Sequence, residues 1–283
     1  MLTQTTFQIF GSSLFLHILL LAVLSSLLVS LSGVLIEYNN LSGVSGPIAH
    51  TILGGVGGAL FLGVDPFIGA LVVCILESII LAFVKIRIPR SLESISNALW
   101  GLGMSLGVLF LFLTPGYQQS LSNFLFGNIL LVSHKDIIQS FILNLTVFFF
   151  IVLFSKQILV VMINIEFAKL QKIPYFFFLM LMMIIISFSI MSLVKTVGIV
   201  LSLVLLTTPF HIVKNLTQKR ILVIMVLTFC VSLLSIILGL FLSFSFNLPS
   251  GSSIALACFS FYWLVLVKKL ILFIKRKGNP YLP

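Results

Sequence analysis

The stretch SGVSGPIAHTILGGVGGALFLG, residues 42–63, decides the fold class. It contains no Asp, Glu, Lys or Arg, and its one ionisable side chain, His50, stands near the middle. The rest is apolar or small, with glycine at 43, 46, 54, 55, 57, 58 and 63. A run with no polar face has no place on a water-soluble surface, and residues 47–63 read as a membrane span. Gly54 and Gly58 are spaced as GxxxG, which lets helix backbones approach closely. Glycines at this density predict a tightly packed central helix, or a pore wall of little side-chain bulk. Gly46, Gly54, Gly55 and Gly58 are its small-residue positions.

The flanking sequence repeats the pattern. Spans are expected at about 13–36, 66–84, 94–114, 138–161, 174–194, 196–211, 221–245 and 251–274, about nine with the first. The second and seventh are short enough to be broken or re-entrant elements. Hydrophobic residues make up 60% of the 283 and charged residues only 8%, against roughly 25% charged in soluble domains. Too little polar surface exists to coat a globule. The fold class is therefore all-α: a polytopic membrane helical bundle of eight or nine spans, with residues 1–283 as a single membrane domain. The N-terminus lacks a basic region and a clear cleavage site, so the first span is expected to be retained.

A net charge of +10 does not indicate nucleic acid, because the basic residues sit at the ends of apolar runs, where they meet lipid headgroups. With the N-terminus outside, only Lys135 and Lys195 of the sixteen Lys and Arg residues face outward. This asymmetry favours an odd number of spans and a cytoplasmic C-terminus. Cys74, Cys230 and Cys258 lie in apolar runs without a CxxC and read as small core residues.

No GxxxxGK[ST], HExxH or GxSxG occurs, and the carboxylates Glu37, Asp65, Glu77, Glu93, Asp136 and Glu166 are scattered along the chain. An enzyme is disfavoured, and ATP is not bound through a P-loop. Within the spans His50 is costly and so a functional candidate, imidazole being a common ligand for Zn, Mn and Fe. The alternative is a neutral histidine bonded to a neighbouring helix. Glu77 could face the same interior or serve structure alone. His17 and His211 read as structural, and Met180, Met182, Met183 and Met191 as adaptable packing. Two connections are more than turns: an outer segment, 115–137, that could hold an interfacial helix, and an inner segment, 162–173, that reads as a short amphipathic helix.

These stretches, taken in order, resemble the permease subunits of ABC importers for zinc, manganese and iron(II). GPIAHTILGGVGGALFLG (46–63) is similar to a branch reading GGxxHAxxGGxGLGYxLG. RSLESISNALWGLGMSLGVLF (90–110) resembles the family's fourth span, and LFGNILLVSHKDI (125–137) its LFGdiLxVsxxDl. NIEFAKLQKIP (164–174) resembles FDPExARALGxP, VGIVLSLVLLTTPFHIVKN (197–215) VGxLLVxALLxxPAATA, and NLPSGSSIALACFSFYW (247–263) DLPSGxxIVLxxxxxF.

The resemblance implies an ABC-importer type of permease in the bacterial inner membrane, paired with itself or a homologous permease. It also implies two cytoplasmic ATPases, an extracytoplasmic metal-binding protein, and a divalent metal ion as cargo rather than a tightly bound cofactor. It makes the segment at about 163–174 the coupling helix, with Ile165, Phe167, Ala168 and Leu170 in the ATPase groove and Glu166 and Lys169 at the rim. It makes His50 the pathway histidine. Many members carry Asp four residues before that histidine, where this chain has Gly46, so a second ligand must come from elsewhere, with Glu77 as a candidate. PFHIV (209–213) replaces PAATA and adds His211 near the inner mouth. The alternatives are a permease for a metal chelate such as haem, a siderophore or cobalamin, and an ATPase-independent secondary transporter, whose expected internal repeats are not visible.

Overall fold

Lipid offers the backbone no hydrogen-bond partner, so each apolar run must satisfy its own N–H and C=O groups as helix. The structure, a computed structural model, describes residues 13–114, 133–163, 165–217 and 220–278. Its helices in chain order are α1 (Ser13–Tyr38), α2 (Ser42–Phe61), α3 (Pro66–Arg87), α4 (Leu92–Leu113), α5 (His134–Leu153) and α6 (Ser155–Ile163). They continue with α7 (Ile165–Leu170), α8 (Tyr175–Val197), α9 (Ile199–Leu216), α10 (Ile221–Phe246) and α11 (Ser250–Gly278). Among the described residues nine of these are long and apolar enough to cross a membrane, which agrees with the odd count expected from charge.

Three expectations change. The second and seventh spans are neither broken nor re-entrant: α2 and α9 are continuous helices of 20 and 18 residues, despite Pro47 and Pro209 within them. The fifth span starts earlier than 138, because Ser133 and Asp136 close a capping box over the first turn of α5. It then breaks at Phe154, so that 138–161 is two helices rather than one. Cys74 and Cys258 are buried, but Cys230 is exposed on the outside of α10 and is no core residue. Most of the outer segment, residues 115–132, lies outside the described residues.

Helices α1, α2 and α8 are mostly enclosed, whereas α4, α5, α10 and α11 turn most of their apolar surface outward. Polar side chains tie the interior together. Ser78 Oγ donates to the Cys74 carbonyl at 2.6 Å and meets Ser187 Oγ at 2.9 Å. Asn144 Nδ2 donates to the Leu24 carbonyl at 3.1 Å, and Ser30 Oγ to the Met225 carbonyl at 2.6 Å. In lipid such bonds and close packing supply what the hydrophobic effect supplies in water.

Charged groups sort to the two ends. At one end Lys195 pairs with Asp136 at 2.7 Å and donates to Gln139 at 3.0 Å, beside Lys135. At the other, Lys85 donates to the Asn39 carbonyl at 2.6 Å and Lys269 to Asn215 at 2.9 Å.

The tightest packing surrounds α2. A Cβ on Gly57 would lie 2.6 Å from the Gly107 carbonyl oxygen, and one on Gly54 2.8 Å from that of Gly103. Gly55 and Gly69 meet backbone to backbone between α2 and α3. The GxxxG reading needs adjustment: Gly54 and Gly57 make the contact with α4, while Gly58 sees only the Phe110 ring at an ordinary 3.7 Å. Gly57→Leu should cost at least ~1–3 kcal/mol through overpacking, read as a lower melting temperature and poor recovery on size exclusion in detergent. Gly101, with nothing within 4 Å of its would-be Cβ, should accept Ala with a gain of about 0.5–1 kcal/mol. Equal stability of Gly57→Leu and the native chain would rule this packing out.

Candidate functional site

Because α2 packs on α3 through Gly55 and on α4 through Gly54 and Gly57, one side of it is left partly open. Positions 46, 50, 54 and 58 are each half-buried, while most of the residues between them are buried. Spacing of four places them on one face. The half-buried stripe is Gly46, His50, Gly54 and Gly58; it runs along the edge of the contact with α4, where His50 meets Trp100, Gly54 meets Gly103 and Gly58 faces Phe110. Gly46 borders α9: a Cβ there would lie 3.7 Å from the Leu203 side chain. The half-buried or exposed positions of α9, Val200, Leu203, Thr207, His211 and Lys214, continue the open surface away from it.

The His50 ring stacks on Trp100 of α4, with centroids 5.0 Å apart and an interplanar angle of 26°. Its Nδ1 is buried and has no hydrogen-bond partner. Buried polar nitrogens are ordinarily hydrogen-bonded, and this one is not; the ring is held by the aromatic face of Trp100.

Glu77 does not complete a pair with it. This carboxyl is 2% exposed, between α3 and α2. Thr51 is the polar group beside it, yet the Thr51 hydroxyl donates to the Pro47 carbonyl at 2.9 Å. Both Glu77 oxygens are left without a hydrogen-bond partner, so no bond joins Glu77 to His50. His211 lies elsewhere again: its Nε2 is 3.4 Å from Oε1 of Glu37 on α1. The three sequence-predicted candidates are therefore not joined to one another by any hydrogen bond. Among the described residues no group of three or more His, Cys, Asp or Glu could hold a metal ion.

Sequence reasoning missed Trp100, Glu37, Gly103 and Gly107. The glycines had a legible signal, the four-residue spacing in WGLGMSLG (100–107). Glu37 had none, because only folding brings it to His211.

The inner segment contains α7, flanked by α6 and α8. Phe167 is 48% and Leu170 81% exposed, and Glu166 and Lys169 are also exposed. Ala168 corrects the expectation that it enters a partner's groove: it is fully buried against Val161, Phe178 and Leu179 of its own chain. It anchors the helix, and Lys169 lies over the Tyr175 ring at 5.3 Å. The Ile165 side chain is outside the described residues.

Known proteins resemble this chain in sequence and in fold. The chain is 29% identical over 260 residues to a probable metal transport system membrane protein of Chlamydia trachomatis, covering 89% of this chain and 87% of that one. It is 27% identical over 243 residues to the manganese transport system membrane protein of Halalkalibacterium halodurans, covering 86% and 83%. Its backbone is similar to PsaBC from Streptococcus pneumoniae, with a TM-score of 0.81, 25% identity, and 94% and 95% of the two chains covered. The profile described as the ABC 3 transport family matches residues 12–269, nearly the whole bundle with its His50 stripe, and the chain belongs to that family.

Proposed function

We propose that this multi-pass membrane protein is the permease subunit of an ATP-driven importer of divalent transition-metal ions, with the α2–α9 wall lining the translocation path. The observation that carries the reading is His50: a half-buried imidazole in mid-span, with Nδ1 unpaired, on a stripe otherwise made of glycine. Imidazole nitrogen suits zinc, manganese and iron(II). A transport site must also release its ion, so a single ligand from each chain suits transit better than storage. A second copy of the permease, or a homologous one, would close the other side of the path.

Family membership supports the remaining parts. Cytoplasmic ABC ATPases supply the energy, and an extracytoplasmic metal-binding protein delivers the ion. The chain sits in the bacterial inner membrane with its N-terminus outside and its C-terminus in the cytoplasm. The end bearing Lys85, Lys214 and Lys269 then faces the cytoplasm, in keeping with the preference of basic residues for that side. On that side α7 presents Phe167 and Leu170 to the ATPase, and Ala168 fixes it to the bundle, so that movement of the ATPases is passed to α8. Alternating access follows from this linkage.

Two measurements test the reading. His50→Ala should lower the initial rate of manganese or zinc uptake in cells at least about tenfold, as expected for loss of a ligand, with membrane insertion and assembly intact. Unchanged uptake would return His50 to a packing role. Phe167→Ala combined with Leu170→Ala should leave insertion intact but uncouple ATP hydrolysis from uptake. Persistent uptake in that variant would remove α7 from the coupling path. Testing manganese, zinc and iron separately identifies the cargo.

A further inference from the structure

Glu37 and His211 meet at the basic end of the wall that begins at His50. His211 is the last histidine on the open face of α9, one turn before Lys214, and its side chain is 45% exposed. Glu37 approaches from α1, its side chain only 6% exposed, and its Oε1 is buried without a hydrogen-bond partner. The Nε2 to Oε1 distance is 3.4 Å. Charge-assisted hydrogen bonds between such groups close to ~2.7–2.9 Å, so this pair stands too far apart for a tight ion pair. Two ligands each about 2.0–2.1 Å from a tetrahedral zinc ion lie ~3.3–3.4 Å apart, which is the spacing found.

We propose that Glu37 and His211 form a two-ligand site for a divalent transition-metal ion at the cytoplasmic end of the path, where the ion passed on by His50 pauses before release. The proposal rests on the reading of the chain as a metal-ion permease. Imidazole nitrogen and carboxylate oxygen together suit zinc and its neighbours. Aromatic rings hold both ligands: Phe210 lies edge-on to His211 at 5.8 Å and edge-on to Tyr38, next to Glu37, at 5.8 Å. Lys214 rests over the Tyr38 ring at 5.0 Å, and Lys85 reaches the Asn39 carbonyl at 2.6 Å. A half-exposed histidine can bind an ion from the channel side and lose it to the cytoplasm.

The chain has four histidines, which permits a clean test. His17 and His134, in edge-to-face contact at the opposite end, and His50 are all replaced by Ala, leaving His211 alone. The permease with its partner ATPase, purified without a histidine tag, is dialysed to equilibrium against buffered Zn2+, and bound zinc is counted per chain. One saturable zinc per permease chain is expected. Adding Glu37→Gln, which preserves size, or His211→Asn should each weaken it at least about tenfold, while Glu37→Asp retains part of it. Thermal unfolding of each variant confirms that it is folded. The inference is overturned if the His211-only protein binds no zinc, or binds it equally well with Glu37→Gln. Uptake by the unmodified permease in cells separates the two claims: uptake with no such site sinks this inference alone, and no uptake of any divalent metal sinks the importer reading itself.

Discussion

The close backbone contact of α2 with α3 and α4 is the constraint on which the rest of the bundle depends. Lipid is as apolar as a leucine side chain, so no hydrophobic force presses membrane helices together. They associate where surfaces fit and polar groups find partners. Gly54 and Gly57 meet Gly103 and Gly107, and Gly55 meets Gly69, with no side chain between them. These contacts fix the rotation of α2 about its own axis. Once these backbone contacts are made, Gly46, His50, Gly54 and Gly58 form a half-buried stripe at the edge of the contact with α4. The position of the histidine is thus a consequence of glycine packing.

The site so produced is sparse. His50 has an aromatic support in Trp100 but no acidic neighbour, and Glu77 is sequestered on another side of α2. A resident metal centre gathers three or four ligands and orients them through further hydrogen bonds. A conduction path does better with few ligands at each stop, because every stop must also be left. The interior spends polar groups on helix association, through Ser30, Ser78 and Asn144, and its ionisable groups are few.

Much of this was legible in the chain. Apolar run length marked each span, and the break at Phe154 was the one place where a long apolar run concealed two helices. The early start of α5 was also readable, since Ser133 and Asp136 stand at capping-box spacing. His50 stood out because an ionisable group in a glycine-rich span is rare, and its family motif gave it a role. The burial of Ala168 was harder to see. Six residues of short helix have no periodicity long enough to show which face turns home.

By itself the sequence determined that this protein is built of helices long and apolar enough to span lipid, and that most of its basic residues stand at the ends of apolar runs. Those properties follow from transfer free energies and local helix geometry, which act residue by residue. Only the tertiary structure decided which ionisable groups meet. It left Glu77 unbonded to His50 and brought Glu37 to His211 across the bundle. The reason is geometric: partnership between side chains on different helices depends on helix rotation and register. Those are set by the sum of glycine contacts and interhelical hydrogen bonds, and no stretch of sequence contains that sum.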